Sequence, residues 1–217
     1  MKKFVAFACL LAAGTANAAT SVIDAYEISG SGGAYFGAPY ITTLAQSFSL
    51  PRAGRLQSFE FRYASHVGPG PILRAYVYQW AGTAVGPQLF ASGTIRLADG
   101  TPINATWLDH QIGLGNTLVG PGSYAVILSN YGLDSTGLNS LSLSFSNNFY
   151  PGGMAVSAAP AQTFEQTVSG SWSAPSTSDL TFRLTYGAVP EPASWAMQIA
   201  GFALAGAVMR RRRVRLA

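Results

Sequence analysis

The chain has two histidines, His66 and His110, and Asp109 stands directly before the second in WLDHQ. A hydrolase built on them needs a base beside a nucleophile, or two carboxylates facing each other. On an extended segment neighbouring side chains point to opposite faces, so Asp109 and His110 cannot pair directly. His66 lies among glycines and prolines, and both histidines read as surface residues. No GxSxG elbow occurs, and the single cysteine, Cys9, sits near the N-terminus, which leaves the rest of the chain without a Cys–His pair. A hydrolase would need a cleft that brings a histidine to an acid, and the spacing supplies none.

Metal chemistry has little more to work with. HxH, HExxH, CxxC and the acidic calcium loop of an EF-hand are all missing from the sequence, so no cofactor is expected. The alternative weighed is a structural calcium between Asp24 and Asp179, should the first and last strands meet. SGSGGAYFG lacks the Lys-Ser/Thr of a phosphate loop and reads as a turn. Asn104-Ala105-Thr106 matches a glycosylation sequon.

ILRAYVYQW offers the best binding candidate. With Leu73, Ala75 and Val77 in a core, Arg74, Tyr76, Tyr78 and Trp80 take the other face as an aromatic shelf beside a cation. Aromatic faces stack on the C–H surfaces of sugar rings, which makes the quartet a candidate glycan site. The competing reading buries these rings in cross-strand pairs. Trp107, Trp172 and Tyr150 read as core or rim.

The elements that position these residues are strands. In LQSFEFRYA, Phe59, Phe61 and Tyr63 alternate with Ser58, Glu60 and Arg62; LSLSFS and DLTFRLTY repeat the period of two. Such alternation gives one dry and one wet face. SVIDAYEI, LAQSFSL, ILRAYVYQW, LFASGTIRL, TWLDHQIG and SYAVILSN add further strands, separated by SGSGG, LPRAG, VGPGP, ADGTP, VGPG and YPGG. With no helix pattern before the C-terminal tail, the expected fold is all-β, an antiparallel β-sandwich of jelly-roll type over 19–187. An up-and-down barrel ranks second.

The two ends are of another kind. Residues 1–18 have Lys2 and Lys3, an apolar run from Phe4 to Ala13, and Ala16-Asn17-Ala18, the pattern of a secretory signal peptide cleaved after Ala18. Near the C-terminus, the seventeen residues Ala193 to Met209 have no formal charge. As a helix they span roughly 25 Å, slightly under the hydrocarbon core of about 30 Å. The arginines beyond hold that end in the cytoplasm and leave the body outside. Removing both ends leaves six arginines against eight acids in Ala19–Val189, so the net +4 belongs to the targeting segments and gives no case for nucleic-acid binding. With Cys9 in the signal peptide, the exported body has no disulfide and depends on its core.

Pro190-Glu191-Pro192, then Trp195-Ala196, the apolar run and Arg210, Arg211, Arg212 and Arg213 stand in an order that resembles a PEP-CTERM sorting signal, here over 188–217. The resemblance implies export in a Gram-negative bacterium and transient anchoring in the inner membrane by the C-terminus. It also implies recognition by an exosortase, a multi-pass membrane enzyme thought to cleave near the PEP triplet. The destination it implies is the cell surface or the extracellular space, often beside extracellular polysaccharide. The expectation is therefore a non-enzymatic surface or matrix protein, linked to exopolysaccharide, biofilm or envelope. A carbohydrate-binding module and a secreted hydrolase are the alternatives.

Overall fold

The computed structural model describes residues 20–26, 33–36, 41–65, 71–82, 84–98, 107–133, 141–146, 150–158, 163–173, 179–189 and 199–203. The expected signal peptide with Ala16 and Ala18, His66, the Asn104 sequon, and Pro190, Glu191, Pro192, Trp195, Ala196 and Arg210–Arg213 lie outside them. Residues 20–189 separate from the two chain ends as a unit of their own.

Two antiparallel sheets make up this body. One holds β1 (Thr20–Asp24), β2 (Gly33–Phe36), β4 (Gly54–Ser65), β8 (Leu108–Val119), β10 (Leu141–Ser146), β13 (Asp179–Leu180) and β14 (Phe182–Ala188). The other holds β3 (Thr43–Leu50), β5 (Ile72–Trp80), β6 (Val85–Ala91), β7 (Ile95–Arg96), β9 (Gly122–Ser129), β11 (Ala155–Ala158) and β12 (Trp172–Ser173). Through the middle of the first sheet the neighbours run β1, β14, β4, β8; through the second they run β3, β9, β5, β6. Consecutive strands from β3 to β5 and from β8 to β10 therefore change sheets at each step.

The period of two is what builds the main core. Phe59, Phe61 and Tyr63 of β4 are buried with Leu141 and Leu143 of β10, and with Phe182 and Leu184 of β14. Leu73, Ala75 and Val77 of β5 meet them from the second sheet. Rings line up along the layer, Phe59 at 5.6 Å from Phe182 and 6.3 Å from Phe61. Each such side chain contributes about 1.5–3 kcal/mol when removed from water, which is what a chain without body cysteines relies on.

Four departures from the sequence reading have local causes. SGSGGAYFG is no turn throughout, because Gly33–Phe36 pairs with β10 and Phe36 is buried. LFASGTIRL divides into β6 and β7, since Ser92 turns inward and exchanges bonds with Ala75: its Oγ accepts from the Ala75 N–H at 2.9 Å. TWLDHQIG continues to Val119 through a bulge, where Gly115 and Asn116 adopt φ of 66° and 55°. DLTFRLTY breaks at Thr181, whose N–H donates to Ser144 O at 2.8 Å while its carbonyl accepts from the Arg62 N–H at 3.1 Å. A helix expected to be absent is also present: α1 (Phe164–Ser169), capped by the Thr163 side chain.

In the tail, 199–203 is helical, with Ile199 and Phe202 exposed. Among the described residues no helix is long and apolar enough to cross a membrane.

Candidate functional site

The outer face of β5 is covered, which favours burial of its rings over an open shelf. Leu73, Ala75 and Val77 do face the main core, which sends Arg74, Tyr76, Tyr78 and Trp80 to the opposite side. There Arg74 is exposed and Tyr76 half-buried, but Tyr78 and Trp80 retain only 8% exposure each. The cover is α1 with β12. Phe164 stacks on Tyr76 at 4.4 Å, and Trp172 meets Trp80 edge-on at 5.6 Å. Val168, Val156, Ala158, Ala45, Ala125 and Ile127 complete a second apolar cluster around them. Trp172 is fixed by donating its indole N–H to Val168 O at 2.9 Å. The glycan shelf is thus corrected: three of its four side chains are the floor of a second core. The cause is the segment after residue 158, which lays a short helix on the sheet.

The outer face of the first sheet carries a lattice of charges around Tyr26. Arg183 reaches Asp24 at 3.2 Å and Glu60 at 3.4 Å, and Arg62 reaches Asp109 at 3.4 Å. Both guanidinium groups lie over the Tyr26 ring, at 4.9 Å and 5.6 Å from its centroid. Burial, then the hydrogen bond and charge of Asp109, push the Tyr26 hydroxyl up to about 12. The register that makes this lattice is simple: Asp24 opposes Arg183, Arg183 opposes Glu60, and Arg62 opposes Asp109. Its carboxylates are each engaged by an arginine.

Asp109 and His110 point to opposite faces as expected. His110 is half-buried rather than fully open. It opposes Phe61 across the β4–β8 ladder, packs against that ring at 5.9 Å, and has its pKa lowered by burial.

Asp24 and Asp179 are held by different partners. Asp24 is held by Arg183 and accepts the Tyr26 N–H at 2.8 Å. Asp179 is fully buried; one oxygen accepts from Gln46 Nε2 at 2.7 Å and the other from the Tyr150 N–H at 2.7 Å. Each carboxylate is already committed to its own protein donors. Among the described residues no three His, Cys, Asp or Glu side chains converge as metal ligands.

The remaining candidate is the exit of the chain. β14 lies between β1 and β4, and its ladder closes where the Val189 N–H donates to Ala53 O at 3.1 Å. Pro190 follows, and a proline has no N–H to continue such a ladder. An all-β body thus hands over at Ala188–Val189 to a segment of different composition. That segment is of known type: residues 188–213 match the PEP-CTERM protein-sorting motif. The chain carries this signal at its C-terminus, which marks it as an exported protein sorted by an exosortase, a membrane enzyme. No curated protein matches the chain.

Sequence reasoning missed α1 and Trp172 as the cover of β5. One local signal was present: Thr163-Phe164-Glu165-Gln166 has the Thr and Gln spacing of a capping box.

Proposed function

We propose that the protein is a non-enzymatic cargo of the exosortase system in a Gram-negative bacterium, led out by a cleaved signal peptide over residues 1–18. The tail over Ala193–Met209 anchors it briefly in the inner membrane, and the body then acts at the cell surface or in the extracellular matrix. The observation that carries this reading is the sorting-motif match beginning at Ala188, the last residue of β14. The address therefore starts where the folded body stops.

Three features support the finer points. The order β1, β14, β4, β8 facing β3, β9, β5, β6 is that of a jelly roll, with β10 to β13 inserted before the last strand. Two apolar clusters give the body its stability without disulfides, which suits an exterior existence. The acids of the Tyr26 lattice are each held by an arginine, which favours surface contacts over catalysis. Extracellular polysaccharide is the partner this reading favours.

The experiment is expression in the native host with and without its exosortase. The wild-type strain should yield a short form, and the deletion strain a longer, membrane-associated form; Glu191→Ala should reproduce the longer form. Equal sizes in both strains would remove the processing reading. A pull-down of Ala19–Val189 with host exopolysaccharide tests the partner, and no retention would confine the body to protein or envelope contacts.

A further inference from the structure

The ends of the ladders place several elements at one pole of the body. β1 begins there, with Thr20 opposite Gly187 near the end of β14. β3 ends there and β9 begins, Leu50 opposing Gly122. β4 begins there, with Gly54 opposite both Ala188 and Val119. The chain thus enters and leaves the body at the same pole. From Val189, four residues lead to Ala193, where the apolar run starts, a reach of at most about 14 Å. While that run lies in a bilayer, this pole is held within the same distance of the headgroups.

The surface of the pole suits such a neighbour. Arg52 and Arg55 are exposed on the β3–β4 connection and the first turn of β4. No Asp or Glu occurs among the described residues of the pole, 20–22, 51–55, 79–82, 117–123 and 187–189. The described acids lie elsewhere, in the Tyr26 lattice, on α1 and at the buried Asp179. Leu118 is 57% exposed, and Pro51 and Pro121 are exposed on the same pole. Leu118 opposes Arg55 across the β4–β8 ladder, and an exposed apolar side chain beside a cation fits an interface whose outer layer is phosphate and whose inner layer is hydrocarbon.

We propose that this pole docks on anionic phospholipid headgroups of the membrane that holds the tail, through Arg52, Arg55 and Leu118. The inference rests on the sorting reading, since the tail supplies the tether. Docking keeps the chain beyond Val189 at headgroup depth, where a membrane enzyme reads it.

The test uses the full chain carrying Cys9→Ser, reconstituted in phosphatidylglycerol-containing or pure phosphatidylcholine vesicles. A fluorophore is placed at Pro121→Cys, on the pole, or at Ala98→Cys, exposed at the opposite end where its N–H meets the Tyr63 hydroxyl. Flotation reports insertion, and quenching by a nitroxide-headgroup lipid reports proximity. The expected result is a floating chain, quenched at position 121 and not at 98. Arg52→Gln and Arg55→Gln should each weaken the docked population about five-fold in phosphatidylglycerol vesicles and leave phosphatidylcholine vesicles unaffected. A floating chain with equal quenching at both positions, or with quenching indifferent to both arginines, overturns the docking and leaves the sorting reading intact. A chain that does not float contradicts both.

Discussion

The Asp179 carboxylate and the Gln46 side-chain amide meet at 2.7 Å between the two sheets, both fully buried and 133 residues apart in sequence. Gln46 completes the clamp by accepting the Leu180 N–H at 2.8 Å, so one β3 side chain holds both residues of β13. The carboxylate is met only by these hydrogen-bond donors among the described residues, and burial raises its pKa despite the bonds from Tyr150 and Gln46.

The sign of the pH effect follows. A carboxyl whose folded pKa lies above its unfolded value stabilises the fold fully below the ordinary carboxylate range. That contribution is lost as pH rises through the folded value. Urea unfolding at a series of pH values should show this decline in the wild type, and Asp179→Asn should flatten it. Gln46→Ala, which removes a donor to a buried carboxylate, should cost about 1.5–3 kcal/mol.

Tyr26 sets a second window. Its hydroxyl is pushed up to about 12, so the fold keeps it neutral after an unfolded tyrosine has ionised. Stability from this group is complete below about pH 10 and is lost as pH climbs towards 12. Absorbance titration of the folded protein should lose one late-ionising tyrosine in Tyr26→Phe, while Tyr63, Tyr78 and Tyr124, which burial also raises, keep theirs.

The second core can be tested from its lid. Trp172→Ala removes the edge-on partner of Trp80 and should cost about 3–5 kcal/mol in denaturant unfolding, with the emission of Trp80 shifted to the red. A loss below 1 kcal/mol would mean that α1 and β12 are loosely held.

Gly153 sits where the turn after Tyr150 crosses β3. A Cβ there would collide with the Ser47 carbonyl oxygen, a backbone atom that cannot swing away. Gly153→Ala should therefore lower stability by about 1–3 kcal/mol, measured by thermal unfolding.

Much of the body was legible where one face is wet. Phe59, Phe61 and Tyr63 against Ser58, Glu60 and Arg62 announce a half-buried strand, and ILRAYVYQW and LSLSFS appear with the expected ends. The pattern says which residues share a face, but not what covers it. Tyr76, Tyr78 and Trp80 could therefore be placed on one side, but open shelf and buried core could not be told apart, because a six-residue helix leaves too short a period to read. Asp179 was equally hidden: its partners, Gln46 and Tyr150, come from distant strands and turns, and no local spacing encodes them. The sorting signal was legible throughout, since its parts are contiguous and a membrane enzyme must read them as sequence.

The central claim is that the segment after Val189 is an address removed from an exported β-sandwich. The most direct test is the intact mass of the mature protein isolated from its native host. The account predicts a chain that begins at Ala19 and ends near Pro190–Pro192, lacking Arg210–Arg213. A mass that retains those arginines, or residues 1–18, would contradict it.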